Sequence, residues 1–70
     1  MEERKYNRIK AVLAELGITS AQLSENIGRN KVSVSRWCTN ESQPSIETLY
    51  DIAEFLDVNV KDLLVDNKKD

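Results

Sequence analysis

The chain has 70 residues, enough for one compact domain and too few for two, so any function must sit on the surface of a single small core. Hydrophobic residues make up 40% and charged residues 31%, a balance that suits a folded soluble domain and argues against a disordered tail. Cys38 is the only cysteine and there is no histidine, which excludes an internal disulfide and a cysteine-rich zinc site, leaves the usual metal ligands missing and implies no cofactor.

The net charge of −2 argues at first against a polyanionic partner, but its distribution is uneven. Residues 1–10 carry four basic and two acidic side chains, residues 28–44 three basic and one acidic, and residues 45–70 three basic and seven acidic. Solvated helix faces would account for such a pattern as well as a charged partner does. The start, Met1 to Lys5, is highly charged and lacks the apolar stretch of a secretory signal. The longest uncharged run, Leu16 to Ser24, is far short of the ~20 apolar residues that span a bilayer. A cytoplasmic protein without a membrane helix is expected.

In chain order, Ile9, Val12, Leu13 and Leu16 follow the spacing of one helix face, and Gly17 supplies a turn, so a first helix should end near Leu16. Thr19 can cap a second helix, with Gln22 reciprocating and Ile18 stapling onto Leu23. Gly28 stops that helix at about Ile27, and Asn30 is a favourable cap for the next. The segment Lys31 to Arg36 alternates like a strand, but at about 100° per residue Val34, Trp37 and Cys38 fall on one side of a helix and Val32, Arg36 and Thr39 on the other. The helix explains Trp37; the strand does not. Thr39 to Pro44 is a loop, Ser45 caps a fourth helix, and Leu49, Ala53 and Leu56 form its stripe, widened by Ile52 and Phe55. Asn59 can cap a last short helix in which Val58 packs on Leu63. One domain over residues 1–70 is expected, with a core from about 5 to 65 and a frayed tail over 66–70.

Two short helices separated by Gly28-Arg29-Asn30, with Leu23 and Ile27 facing Val34 and Trp37, make the helix-turn-helix plan. That plan holds the second helix proud of the surface, where it fits a major groove. At these residues the sequence resembles the Cro and phage-repressor family, the xenobiotic-response-element type of transcriptional regulator. The likeness is carried by the run from Leu16 through Gly28, by Val34-Ser-Arg-Trp37, and by Pro44-Ser-Ile-Glu-Thr-Leu49, and it extends over residues 8 to 65.

The resemblance implies an all-α, lambda-repressor-like domain of five helices with the helix-turn-helix at helices 2 and 3, double-stranded DNA as partner, and binding as a homodimer. It places base-reading positions on Lys31, Val32, Ser33 and Arg36. It places phosphate-touching positions on Ser20, Asn30, Thr39, Asn40 and Glu41.

Each assignment has a chemical rationale and a duller competitor. Arg36 can donate two parallel bonds to guanine, or can be a solvated arginine paired to an acid. Lys31 can reach guanine or phosphate, or be a surface lysine, and is the less selective group. Val32 can meet a thymine methyl, or be a scattered exposed valine. Ser33 and Ser35 can bond to bases, phosphates or their own helix. Ser20 stands at a helix start, where unpaired N–H groups suit a phosphate, and Asn30 reads more simply as a cap.

Two departures from the family pattern stand out. Where many relatives pair a basic residue with an acidic one, this chain has Leu13 and Cys38, for which an apolar contact is expected. In the loop, Asn40 and Glu41 replace Gly and basic residues, which weakens the phosphate contact expected there, although Asn40 can take the left-handed conformation. The basic group Arg4, Lys5, Arg8 and Lys10 is an auxiliary candidate for the DNA backbone. Val60 and Leu64 are candidates for the dimer surface. An antitoxin-like protein-interaction module of the same fold, using the acidic C-terminal half, is the alternative. An enzyme lacks parts: no histidine, no cysteine nucleophile pair and no phosphate-cradling glycine loop. No small-molecule ligand is implied.

Overall fold

The computed structural model describes residues 5–67. Helix α1 spans Ile9–Leu16 and starts where the Asn7 Oδ1 accepts the Ile9 N–H at 3.0 Å. It buries Ile9, Val12 and Leu13 and closes at Gly17, whose φ of 69° is left-handed. Leu16, at the end of the predicted stripe, is exposed.

Helix α2 spans Ser20–Ile27 behind the expected reciprocal cap. The Thr19 Oγ1 accepts the Gln22 N–H at 3.1 Å, and the Gln22 Oε1 accepts the Thr19 N–H at 2.8 Å. It ends at Gly28, left-handed at φ 67°. Space for a side chain exists there, so conformation alone favours glycine. Helix α3 spans Lys31–Cys38, not a strand, and Asn30 caps it by accepting from the Val32 and Ser33 N–H groups at 2.8 and 3.3 Å.

Helix α4 spans Ile46–Leu56 behind Ser45, whose Oγ accepts the Thr48 N–H at 3.1 Å. It buries Leu49, Ile52, Ala53 and Leu56, whereas Ile46 at its first position and Phe55 on its flank are exposed. The fifth expected helix is corrected: among the described residues there are four α-helices, and Val60–Leu63 is a single 3₁₀ turn. The turn cannot grow into an α-helix because Leu64 is already extended and paired antiparallel with Asn7. Around that bridge the Arg8 N–H donates to Leu63 O at 2.9 Å and the Val65 N–H to Tyr6 O at 3.0 Å, so the segments at the two ends of the described chain are joined.

One core gathers residues from all five elements, with Ile9, Leu23, Val34, Ile52 and Leu63 fully buried. Ile18, Ile27, Cys38, Val58 and Val60 pack around it. Helix α2 lies against α3 and α4, and α1 against α3 and the 3₁₀ turn. The core therefore grips α3 from the Val34 and Trp37 side and leaves its opposite side clear. No buried side-chain nitrogen or oxygen lacks a partner among the described residues. Of the expected frayed tail, Asp66 and Asn67 are exposed and irregular, and 68–70 lie outside the described residues.

Candidate nucleic-acid interface

Helical phase divides α3 into two faces. Val34 is fully buried and Trp37 is 9% exposed, with Cys38 half-buried beside them. Lys31, Val32, Ser35, Arg36 and Thr39 are exposed. Ser33, expected among the reading residues, sits half-buried on the flank between the two faces, and Ser35 shares the open face instead. Val32 is 59% exposed, an apolar group offered to solvent at the front of the helix.

The open face of α3 continues into α2 and the loop. Ser20, Lys31, Val32, Ser35, Arg36 and Glu41 line one shallow hollow, which brings the phosphate candidate Ser20 beside three of the four base-reading candidates. Ser20 and Ser35 also border a second hollow with Lys10, Leu13, Ala14, Ile18, Cys38 and Thr39. A third, sharing Lys10 and Thr39 with the second, is lined by Lys5, Arg8 and Asn40 among others. These walls form a band from the N-terminal segment to the tip of α3 that carries Lys5, Lys10, Lys31 and Arg36, together with Arg8, whose guanidinium stands 3.4 Å from the Glu15 carboxylate and donates to Asp62 O at 3.0 Å. Glu41 is its one acidic residue among those described. Arg4, the remaining member of the expected basic group, lies outside the described residues.

Two cations of the helix-turn-helix region are engaged differently. Arg29, in the turn, donates to the Thr48 Oγ1 at 3.2 Å and stands 4.0 Å from the Asp51 carboxylate, tying the turn to α4. Arg36 forms no ion pair and its guanidinium no hydrogen bond with any described residue. Among the described residues no acid partners Arg36, as the duller account of it would require. Lys31 is likewise without an ion pair among the described residues.

The remaining phosphate candidates are more constrained. Asn30 spends its Oδ1 on the cap of α3. Thr39 Oγ1 can donate to the Ser35 or Arg36 carbonyl or to the Glu41 carboxylate, at 3.4, 3.2 and 3.0 Å. Asn40 takes the left-handed conformation at φ 64°, but its side chain is bound into the fold. Its Oδ1 accepts from the Tyr6 and Asn7 N–H groups and from Gln43, and its Nδ2 donates to Asn7 O.

Leu13 and Cys38 both line the second hollow, Leu13 buried and Cys38 half-buried against the core. Burial pushes the Cys38 thiol above its ordinary value of 9.0, with the Lys10 charge pulling weakly the other way. The thiol is therefore protonated, and a poor nucleophile, at neutral pH.

Sequence reasoning missed Asn7 and Gln43. Asn7 is 3% exposed, and its Nδ2 donates to the Trp37 carbonyl at 3.0 Å and to the Gln43 Oε1 at 2.7 Å. The partners are 30 or more residues away in sequence, so no local pattern signals them.

Residues 8–69 match the profile of the Cro/C1-type HTH DNA-binding domain. Among solved structures the chain is similar to a candidate DNA-binding protein from Bacteroides fragilis, at 46% identity and a TM-score of 0.82, over 84% of this chain and 95% of that one. No curated protein matches the chain significantly.

Proposed function

The chain belongs to the Cro/C1-type HTH DNA-binding domain family, and from that premise we propose that it is a DNA-binding transcriptional regulator that reads duplex DNA through the open face of α3. Arg36 carries this reading: an outward guanidinium, free of any described acid, on the helix that the core presents. Its two parallel donors match guanine O6 and N7, and one such pair discriminates by roughly 1–3 kcal/mol. Lys31 and Val32 stand on the same face to meet a guanine or phosphate and a thymine methyl. Ser33, from the flank, is an edge contact at most, and Ser35 is better placed.

Ser20, at the start of α2, offers a phosphate its hydroxyl and the unpaired N–H groups of the first turn. Thr39 and the cations Lys5 and Lys10 extend that backbone track along the adjoining hollows. Asn30 and Asn40 serve this surface mainly by holding it, one as a cap and the other by anchoring the loop. The family precedent and the half-exposed Leu64 support a homodimer, with recognition helices entering successive major grooves roughly 34 Å apart. Val60, packed on the core, is the weaker of the two interface candidates. Such a regulator would work in the cytoplasm, and no described helix is long and apolar enough to cross a membrane.

A second reading, a protein-interaction module of the same fold, draws on one observation. Residues 45–60 hold four acidic and no basic residues, with Ile46 and Tyr50 exposed at 72% and 60%. Selection of bound sites from a random duplex pool separates the two. A palindromic product supports a dimeric reader of DNA; no retarded duplex at low salt, with one stoichiometric protein partner recovered, supports the other.

A further inference from the structure

The N-terminal segment around Asn7 and the segment from Trp37 to Gln43 are joined from both sides. The Asn40 carboxamide lies along the backbone of residues 6 and 7 and bonds it as a neighbouring strand would: Oδ1 accepts the Tyr6 N–H at 2.9 Å and the Asn7 N–H at 3.0 Å, and Nδ2 donates to Asn7 O at 3.0 Å. The Asn7 carboxamide reaches back. Its Nδ2 donates both hydrogens, to Trp37 O in the last turn of α3 at 3.0 Å and to Gln43 Oε1 at 2.7 Å. Gln43 closes the circuit by donating to the Asn40 Oδ1 at 3.1 Å.

This arrangement does more than satisfy buried groups. The Trp37 carbonyl already accepts the Asn40 N–H at 3.1 Å, so the second donor from Asn7 adds fixity at an end that is not orphaned. The same asparagine starts α1 through Ile9 and is itself the bridge partner of Leu64. It therefore fixes the separation between the N-terminal cations and the end of α3. Lys5, Lys10, Thr39 and Asn40 share one hollow whose shape depends on that separation. A DNA backbone presents phosphates at fixed spacing, so contacts from two different elements act together only if the elements are held in register.

We infer that Asn7, Asn40 and Gln43 form a clamp of positioning residues that sets the end of α3 against the N-terminal segment, so that phosphate contacts on both are made at once. None of the three needs to touch DNA. The clamp rests on the DNA-binding reading above and adds to it which residues tune affinity without setting sequence preference.

The test uses the full chain and a duplex selected by that chain from a random pool. Affinity is measured over a salt series, at a temperature where circular dichroism shows each variant fully folded. Asn7→Ala should bind about tenfold more weakly, with a salt slope shallower by about one, while its ratio of selected to random duplex stays that of the parent. Gln43→Ala, on the exposed side of the clamp, keeps the fold if Asn7→Ala does not, and should lose about threefold. Ile52→Val lowers stability from a buried position on α4 and should leave affinity within about twofold, which separates positioning from mere folding.

Asn7→Ala, or Gln43→Ala in its place, binding within about twofold of the parent when fully folded would overturn the clamp alone. A parent chain that retains no duplex would overturn the reading beneath it, and the clamp with it.

Discussion

At its start, α3 is held by Asn30, whose side chain accepts from two N–H groups within three residues of itself. At its other end the same helix is held by Asn7, 30 residues away, and by an Asn40 whose side chain bonds the backbone of residues 6 and 7. The first is a local device that any peptide of this composition can form in part. The second exists only when the whole chain is folded, because the loop-closure entropy of some 30 residues must already have been overcome. One helix thus has a start made by short-range chemistry and an end made by topology.

Removing what both ends share should have the largest effect. Trp37→Ala takes away the large side chain that seats α3 on the core and should lower stability by about 3–5 kcal/mol, read as a fall in the urea midpoint by circular dichroism. An unchanged midpoint would mean that the core does not depend on α3. Next, the two ends should differ from each other. Asn7→Ala leaves the buried Ile9 N–H short of its partner and should cost about 1–3 kcal/mol, whereas Asn30→Ala should cost about 1 kcal/mol by the same titration. Finding the local cap to be the costlier loss would reverse the contrast.

The smallest effect concerns Cys38, at the junction of α3 with the clamp. Its folded thiol is held above the ordinary 9.0 by burial, so the unfolded chain loses its proton first as pH rises. The stabilisation from this group is complete below the unfolded value and drains away as pH climbs through the folded one. Thermal melts should therefore show a decline above about pH 9 that Cys38→Ala lacks. A decline of equal size in the variant would assign it to other groups.

The same division explains what could be read before the fold was known. The caps at Thr19, Asn30 and Ser45, the stops at Gly17 and Gly28, and the inward side of α3 depend on neighbours within about four residues, and helical phase alone places them. Ser33 was harder to place: family position puts it among the reading residues, whereas burial puts it on the flank. The final element was expected to be a fifth helix because Asn59 and the apolar residues after it look like a helix start. Its arrest as a 3₁₀ turn follows from the pairing of Leu64 with Asn7, a contact across nearly the whole chain. Asn7 and Gln43 were invisible for the same reason, and Asn40 was legible in its backbone, not in its side-chain partners.

The claim on which the functional account stands is that the outward side of α3 reads bases. Competition binding of parent and Arg36→Ala, each against the selected duplex and against random duplex, tests it most directly. The account predicts that the variant loses roughly 1–3 kcal/mol on the selected duplex and much less on random DNA, collapsing their ratio. Equal losses on both duplexes would show Arg36 to be a phosphate anchor and would contradict base reading from this face.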